Sequence, residues 1–220
     1  MTAEDLRNDL VLLARSLFDR GFSVGSAGNI SVRLPEGGFL MTPTNASLGR
    51  LVPDELSVLD TEGRHISGPK PSKEVVMHLA VYEARPAAGA VVHLHSTYAT
   101  AMSCLAGTAP AGEGPSRADT IPALTPYFVM RVGRSVPFVP YFRPGTEAGV
   151  ADVRAAASVS AGILLGNHGS IVAGSTLHDA VNAAEEFEAS AQLAFLLEGR
   201  ATRALTPDEI SELEHMKVGR

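Results

Sequence analysis

The stretch Ala90-Val91-Val92-His93-Leu94-His95-Ser96 is an apolar run broken by two imidazoles. Its length and composition predict a buried strand. Side chains alternate between the faces of a strand, so His93 and His95 point one way while Val92 and Leu94 enter the packing on the other. Two Cα atoms roughly 6.5–7 Å apart let both rings converge on one ion, and neutral imidazole holds Zn²⁺ at about 2.0–2.1 Å. Two ligands do not close a tetrahedron. The candidate for the third is His168, in Ile163-Leu164-Leu165-Gly166-Asn167-His168-Gly169, a second apolar strand that runs into a glycine-flanked turn. A lone histidine is usually hydrogen-bonded locally; three of them in two strand-end settings point to a metal.

A strand of this kind needs a core around it. The chain has 220 residues, 45% hydrophobic and 19% charged, which suits one domain of α/β type spanning 1–220. A net charge of −6 and a pI near 5.6 offer no basic field for nucleic acid or anionic membrane. No run approaches the roughly 18 apolar residues of a membrane span, and Met1-Thr2-Ala3-Glu4-Asp5 is acidic rather than signal-like. The single cysteine, Cys104, excludes an intrachain disulfide and reads as a small packed apolar group. These features predict a cytoplasmic protein.

Along the chain, Thr2 to Asp5 forms a capping box, and Leu6, Leu10, Leu13, Leu17 and Phe18 recur at helical spacing as far as Gly21. A hairpin follows, Ile30 to Arg33 and Phe39 to Met41, with the glycine-rich entrance Gly25-Ser26-Ala27-Gly28-Asn29. Leu56 to Leu59 is a strand, and Ser72 is the predicted N-cap of a helix running to Glu83. Thr97 to Leu105 predicts a helix, Ala106 to Ala118 a surface loop, and Val136–Val139, Ile163–Leu165 and Ser170–Ala173 strands. Helices are expected near Glu147–Ala157, from the capping box Thr176–Asp179 onward, and from Thr206-Pro207-Asp208-Glu209. Short strands between helices predict a layered α/β domain.

Three segments carry the groups that a phosphate needs: Gly28-Asn29 with Ser31, Thr44-Asn45, and Ser72-Lys73 at a helix start. Small residues permit close approach, N–H groups at a helix N-terminus favour an anion, and lysine adds charge. Glu74 lies two residues beyond Ser72. It reads as a first-turn acid stabilised by the helix dipole, as a general acid/base beside the metal, or as a fourth ligand; spacing alone leaves all three open. His78, one turn on, reads as a helix-packing residue, and His65, His178 and His215 carry no role.

Taken in order, Gly28-Asn29-Ile30-Ser31, Thr42-Pro43-Thr44-Asn45, Pro71-Ser72-Lys73-Glu74, His93-Leu94-His95 and Asn167-His168-Gly169 resemble the class II aldolase/adducin family over nearly the full length. The resemblance implies a three-layer α/β/α sandwich with a central, mainly antiparallel sheet and a cyclic homotetramer. It implies Zn²⁺, or another divalent metal, on His93, His95 and His168, with Glu74 as acid/base. It also implies a phosphate held by Asn29, Thr44, Ser72 and their neighbours Gly28, Asn45 and Lys73. Tyr127, in Thr125-Pro126-Tyr127-Phe128, is similar to the family's tyrosine that reaches a neighbouring subunit's site as a proton donor.

Where the family's aldolases usually carry Thr-Pro-Ser/Thr-Gly and Ser-Ser-Glu, this chain has Thr42-Pro43-Thr44-Asn45-Ala46-Ser47-Leu48-Gly49 and Ser72-Lys73-Glu74. Those runs resemble the subgroup of 3-oxo-tetronate 4-phosphate decarboxylases. The expectation is therefore a carbon–carbon lyase that converts a 3-oxo-tetronate 4-phosphate to dihydroxyacetone phosphate and CO₂ through an enediolate. Aldol cleavage of a ketose 1-phosphate passes through the same enediolate and is the alternative. A non-enzymatic, adducin-like interaction protein would have no use for a metal with an adjacent acid, and a metal-dependent hydrolase would leave the phosphate cradle unexplained.

Overall fold

The computed structural model describes residues 2–105 and 121–218; the surface loop expected over 106–118 lies outside them. Eight strands form one sheet: β1 (Asn29–Arg33), β2 (Phe39–Met41), β3 (Ser57–Leu59), β4 (His65–Ser67), β5 (Ala90–Leu94), β6 (Phe138–Val139), β7 (Gly162–Leu165) and β8 (Gly169–Gly174). Their order is β4-β3-β2-β1-β5-β8-β7-β6. Only β6 and β7 pair in parallel; the other neighbours are antiparallel, as the short connections between β1 and β2 and between β7 and β8 allow.

Alternation along the strands gives each face its own core. Ile30 and Val32 of β1, Val92 and Leu94 of β5, Leu164 of β7 and Val172 of β8 share one apolar cluster. Helices α1 (Ala3–Asp19), α3 (Thr97–Ser103), α4 (Pro126–Arg131) and α6 (Leu177–Leu196) pack into it. Val91, Ile163, Leu165, Ile171 and Ala173 face the other way, into a cluster with α2 (Val75–Ala84) and α5 (Val150–Val159). His93 faces α2, and its strand neighbours Val92 and Leu94 are buried in the cluster on the opposite face. A last helix, α7 (Pro207–Val218), follows.

Helix ends obey local chemistry. Thr2 and Asp5 form the reciprocal capping box expected of them, and Thr206 and Glu209 do the same, with Glu209 N–H donating to Thr206 Oγ1 at 3.2 Å and Thr206 N–H to Glu209 Oε2 at 2.8 Å. At Thr176 only half the box forms, because the Asp179 carboxylate accepts from Ser175 Oγ instead.

Two expectations need correction. The helix predicted from Ser72 starts at Val75, with Glu74 at its N-cap. Ser72 is not the cap because its Oγ accepts from Glu74 N–H, only two residues on, at 3.3 Å, a local turn that competes with helix entry. Cys104 is exposed, because it stands at the C-cap of α3, where the chain leaves the core. The segment after Thr125 forms α4: Thr125 Oγ1 accepts from Phe128 N–H and Pro126 occupies the first turn.

Candidate metal centre

The site forms where the central strands meet the entrance to α2. Register places Asn29 of β1 directly opposite His93 of β5, and His93 opposite Ile171 of β8. His95 follows the last residue of β5, and His168 sits in the turn between β7 and β8. That turn needs Asn167 at φ 52° and Gly169 at φ 153°, and a Cβ on Gly169 would lie 2.2 Å from Leu94 O. Glycine is required there for the hairpin to lie against β5 and bring His168 to the pair.

Glu74, His93, His95 and His168 bring one ligand atom each to within 4.8 Å of one another. The three rings meet edge to face, with centroids 4.6–4.8 Å apart. His93 Nε2 lies 2.9 Å from His95 Nε2 and 3.4 Å from Glu74 Oε2; His168 Nε2 lies 3.2 Å from Glu74 Oε1. Atoms around a tetrahedral ion at about 2.0–2.1 Å would be roughly 3.3 Å apart, so the spacing suits a shared divalent cation.

Two further observations favour that fit. His93 Nδ1 sits 2.7 Å from Ser170 O. A carbonyl only accepts, so Nδ1 carries the proton and Nε2 presents its lone pair to the cluster. His168 Nε2 is buried with no hydrogen-bond partner; its approach to Glu74 has ion-pair distance but not hydrogen-bond geometry. A buried nitrogen left in this state is costly unless something else occupies its lone pair. The donor set, three imidazoles and a carboxylate, is borderline-soft and suits Zn²⁺ or a similar first-row ion.

Burial and neighbouring charges favour the ligand forms of His93, His95 and Glu74. Burial pushes His93 down to about 3, with Glu74 opposing and His168 and His95 reinforcing the shift. His95 is lowered by burial first, then by His168, and Lys73 adds to the effect. Burial resists ionisation of Glu74, but His168, the charge of His93 and the Asn29 amide outweigh it and hold the carboxyl well below the usual range. Glu74 is thus neither merely a dipole-stabilised helix acid nor exposed. It is 5% exposed and receives Asn29 Nδ2–H at 2.7 Å.

The cradle segments come together around this cluster. Pro43 bridges Pro71, Thr44 N–H donates to Lys70 O at 2.9 Å and Ser72 N–H to Thr42 O at 3.2 Å. Those two amides are therefore committed, and Thr44 and Ser72 have only side chains to offer an anion. Gly28 has φ +77°, and a Cβ there would lie 2.8 Å from His93 O, so its backbone passes close over the His93 strand. Asn45, at φ 58°, and Lys73 are exposed, and the Lys73 stem packs against Gly145. Ser31 departs from the cradle: it is buried and hydrogen-bonded to His78 and Tyr82. Tyr127, on α4, is 61% exposed and is not part of the four-residue cluster.

Sequence reasoning passed over three contributors. His78 is a hydrogen-bonded neighbour of Asn29 rather than simple helix packing; its spacing of four from Glu74 was the available signal. The Ser170 carbonyl carries no side-chain signal at all. Glu188 of α6 accepts from Ser96 Oγ, Tyr98 N–H and Ala99 N–H, capping α3 immediately after His95; nothing local to α3 reveals a cap brought from 92 residues away.

Comparison with known proteins finds relatives along nearly the whole chain. Residues 8–195 match the Class II Aldolase and Adducin N-terminal domain. The chain is 47% identical over 210 residues to a 3-oxo-tetronate 4-phosphate decarboxylase of Escherichia coli O6:H1 strain CFT073, covering 96% of this chain and 95% of that one. It is 35% identical over 188 residues to an L-fuculose phosphate aldolase of Escherichia coli K12, covering 82% and 81%. The crystal structure of YgbL from Klebsiella pneumoniae superposes with a TM-score of 0.89 at 48% identity, over 97% of this chain and 99% of that one.

Proposed function

The chain belongs to the class II aldolase and adducin family, and we propose that it is a carbon–carbon lyase that decarboxylates a 3-oxo-tetronate 4-phosphate to dihydroxyacetone phosphate. The observation that carries this reading is the convergence of Glu74, His93, His95 and His168 on one point in a chain 47% identical to a decarboxylase of that name. We read the architecture as one α/β/α sandwich domain over 1–220.

The substrate's ketone is β to its carboxylate. Breaking the C1–C2 bond releases CO₂ and leaves the electron pair delocalised over C2, C3 and the C3 oxygen, as an enediolate. A proton then adds to C2, giving dihydroxyacetone phosphate, so each turnover consumes one proton. His93, His95 and His168 would hold a divalent metal, Zn²⁺ in our assignment, which when bound supplies positive charge to the oxygen where negative charge develops.

Glu74 sits against these imidazoles; ionised at rest, it would take up the proton that each turnover consumes from solvent and pass it to C2, and its carboxylate is also within reach to be a fourth ligand before substrate arrives. Asn29 orients it. Gly28, Thr44, Asn45, Ser72 and Lys73 line the phosphate end, where small residues allow approach and the Lys73 ammonium offsets the dianion. Tyr127 would serve a neighbouring subunit of a homotetramer as proton donor, for which its exposure leaves it available. The family and the apolar patterning fit a cytoplasmic enzyme; no helix among the described residues is long and apolar enough to cross a membrane.

The test is CO₂ release from racemic 3-oxo-tetronate 4-phosphate by the zinc-loaded protein, beside Glu74→Gln and His95→Ala. Release by the parent and its loss in both variants supports the reading. A metal-containing parent that releases none, and instead cleaves a ketose 1-phosphate to dihydroxyacetone phosphate and an aldehyde, would replace it with the aldolase reading that the L-fuculose phosphate aldolase relative favours.

A further inference from the structure

Behind Glu74 runs a buried chain of side-chain contacts that takes no part in the bond-breaking. Asn29 Nδ2–H donates to Glu74 Oε2 at 2.7 Å. Asn29 Oδ1 meets His78 Nε2 at 2.6 Å, His78 Nδ1 meets Ser31 Oγ at 2.7 Å, and Ser31 Oγ meets Tyr82 OH at 3.0 Å. Asn29, Ser31, His78 and Tyr82 are all buried. The chain arises because two periodicities match. Asn29 and Ser31 alternate onto one face of β1, about 6.6–7 Å apart, while Glu74, His78 and Tyr82 recur every four residues along α2, about 6 Å apart. The strand and helix residues therefore interleave.

Proton bookkeeping gives the chain one direction. The ionised Glu74 carboxylate only accepts, so Asn29 must present its NH₂ there and its Oδ1 to His78. His78 Nε2 must then carry the proton. Its Nδ1 accepts from the Ser31 hydroxyl, and Ser31 accepts from Tyr82. Burial, which lowers His78 to about 4 against the opposing charge of Glu74, agrees with a neutral ring. A carboxamide does not relay protons, so the chain braces the carboxylate rather than conducting to it.

We infer that His78 is a positioning residue: its Nε2–H locks the Asn29 carboxamide with nitrogen toward Glu74, and so aims the Glu74 carboxylate at the three imidazoles. Without that donor the amide is free to turn, and its oxygen would repel the carboxylate. The inference rests on the role proposed for Glu74.

Two isosteres separate the two sides of the ring. His78→Gln can return an N–H near the Nε2 position, facing Asn29; His78→Asn reaches only the Nδ1 position, facing Ser31. Both are compared with the parent as metal-loaded enzyme, by kcat, KM, metal content, melting temperature and crystal structure. H78N is expected to lose about 10- to 100-fold in kcat, the usual scale for a partner one step behind a metal site, with KM within about 3-fold and metal retained, while H78Q stays within about 5-fold of the parent. In the crystals Asn29 should stay on Glu74 in H78Q and leave it in H78N.

Equal loss in both variants, following equal loss of melting temperature, would mean a structural role only and overturn the inference, as would parent-like turnover in H78N. Should the metal-loaded parent release no CO₂, the decarboxylase reading fails by itself. The crystals then decide the brace: an Asn29–Glu74 contact kept in H78N refutes it, and one lost only there supports it.

Discussion

Replacing Glu188 by alanine should damage the site from the far side of the sheet. Its Oε1 accepts from Tyr98 N–H at 2.8 Å, and its Oε2 from Ala99 N–H at 2.8 Å and Ser96 Oγ–H at 2.6 Å. Ser96 is the N-cap of α3, but its side chain makes no cap bond of its own; Glu188 does that job from α6. Losing a cap costs about 0.5–2 kcal/mol, and a hydrogen bond to a charged group contributes about 1.5–3 kcal/mol. Water can recover part of this, so the three bonds together should cost about 3 kcal/mol.

At about 2–4 °C per kcal/mol for a chain of this size, that is a drop of roughly 6–12 °C in Tm. Glu188→Gln keeps one oxygen, best placed at the Oε2 position, and turns an NH₂ against Tyr98 N–H; it should lose about half as much. Melting is followed on chelator-treated protein, so that bound metal does not mask the difference. An alanine variant melting within about 2 °C of the parent, where about 3 kcal/mol predicts several-fold more, would refute the capping argument, and so would a glutamine variant equal to alanine.

Acid should destabilise the metal-free protein before its carboxylates titrate. His78 is lowered to about 4 and His93 to about 3, both chiefly by burial, so the unfolded chain binds protons that the folded one refuses once pH falls below about 6.5. Their stabilisation is fully present above that value and is lost as pH drops towards 4; for His78 alone the loss reaches about 3 kcal/mol. Urea midpoints at pH 7.5 and pH 5 check this, and a midpoint unchanged between them would contradict it. Lys73→Met should raise KM for the phosphorylated substrate about 10-fold, the scale of one exposed charge-assisted contact, while Tm stays put because the residue is exposed. Steady-state kinetics decide, and a change confined to kcat would instead put Lys73 at the departing carboxylate.

The imidazole pair could be read from the sequence because strand alternation is a local rule: a strand through Ala90–Leu94 leaves His93 and His95 on one side whatever surrounds it. His168 needed only its own apolar strand and turn. Helix starts at Thr2 and Thr206 were legible for the same reason, since a capping box is closed within four residues. What escaped was set by tertiary partners. Ser31 belongs to the brace and not the phosphate because α2 lies over β1. Ser72 N–H is drawn to Thr42 O, and in that setting its hydroxyl closes the local turn onto Glu74 described above instead of capping the helix; Glu188 caps a helix remote in sequence. Tyr127 marks the other boundary: its proposed role belongs to an assembly, which a single chain's patterning does not describe.

The strand order has a consequence for how this scaffold can change. The ligand-bearing strand β5 stands between β1 and β8 in the middle of the sheet, and the solvent-facing β4, whose residues are all exposed, is three strands away from β1. Local opening of a protein begins at its edges and spreads inward at rising free energy. The rim can therefore fray, lengthen or exchange its residues while the amides at the centre remain closed and the imidazoles keep their aim. The segments proposed to hold the phosphate, 42–45 and 70–73, are free to drift on a chemical centre that is held among the last parts of the molecule to come undone.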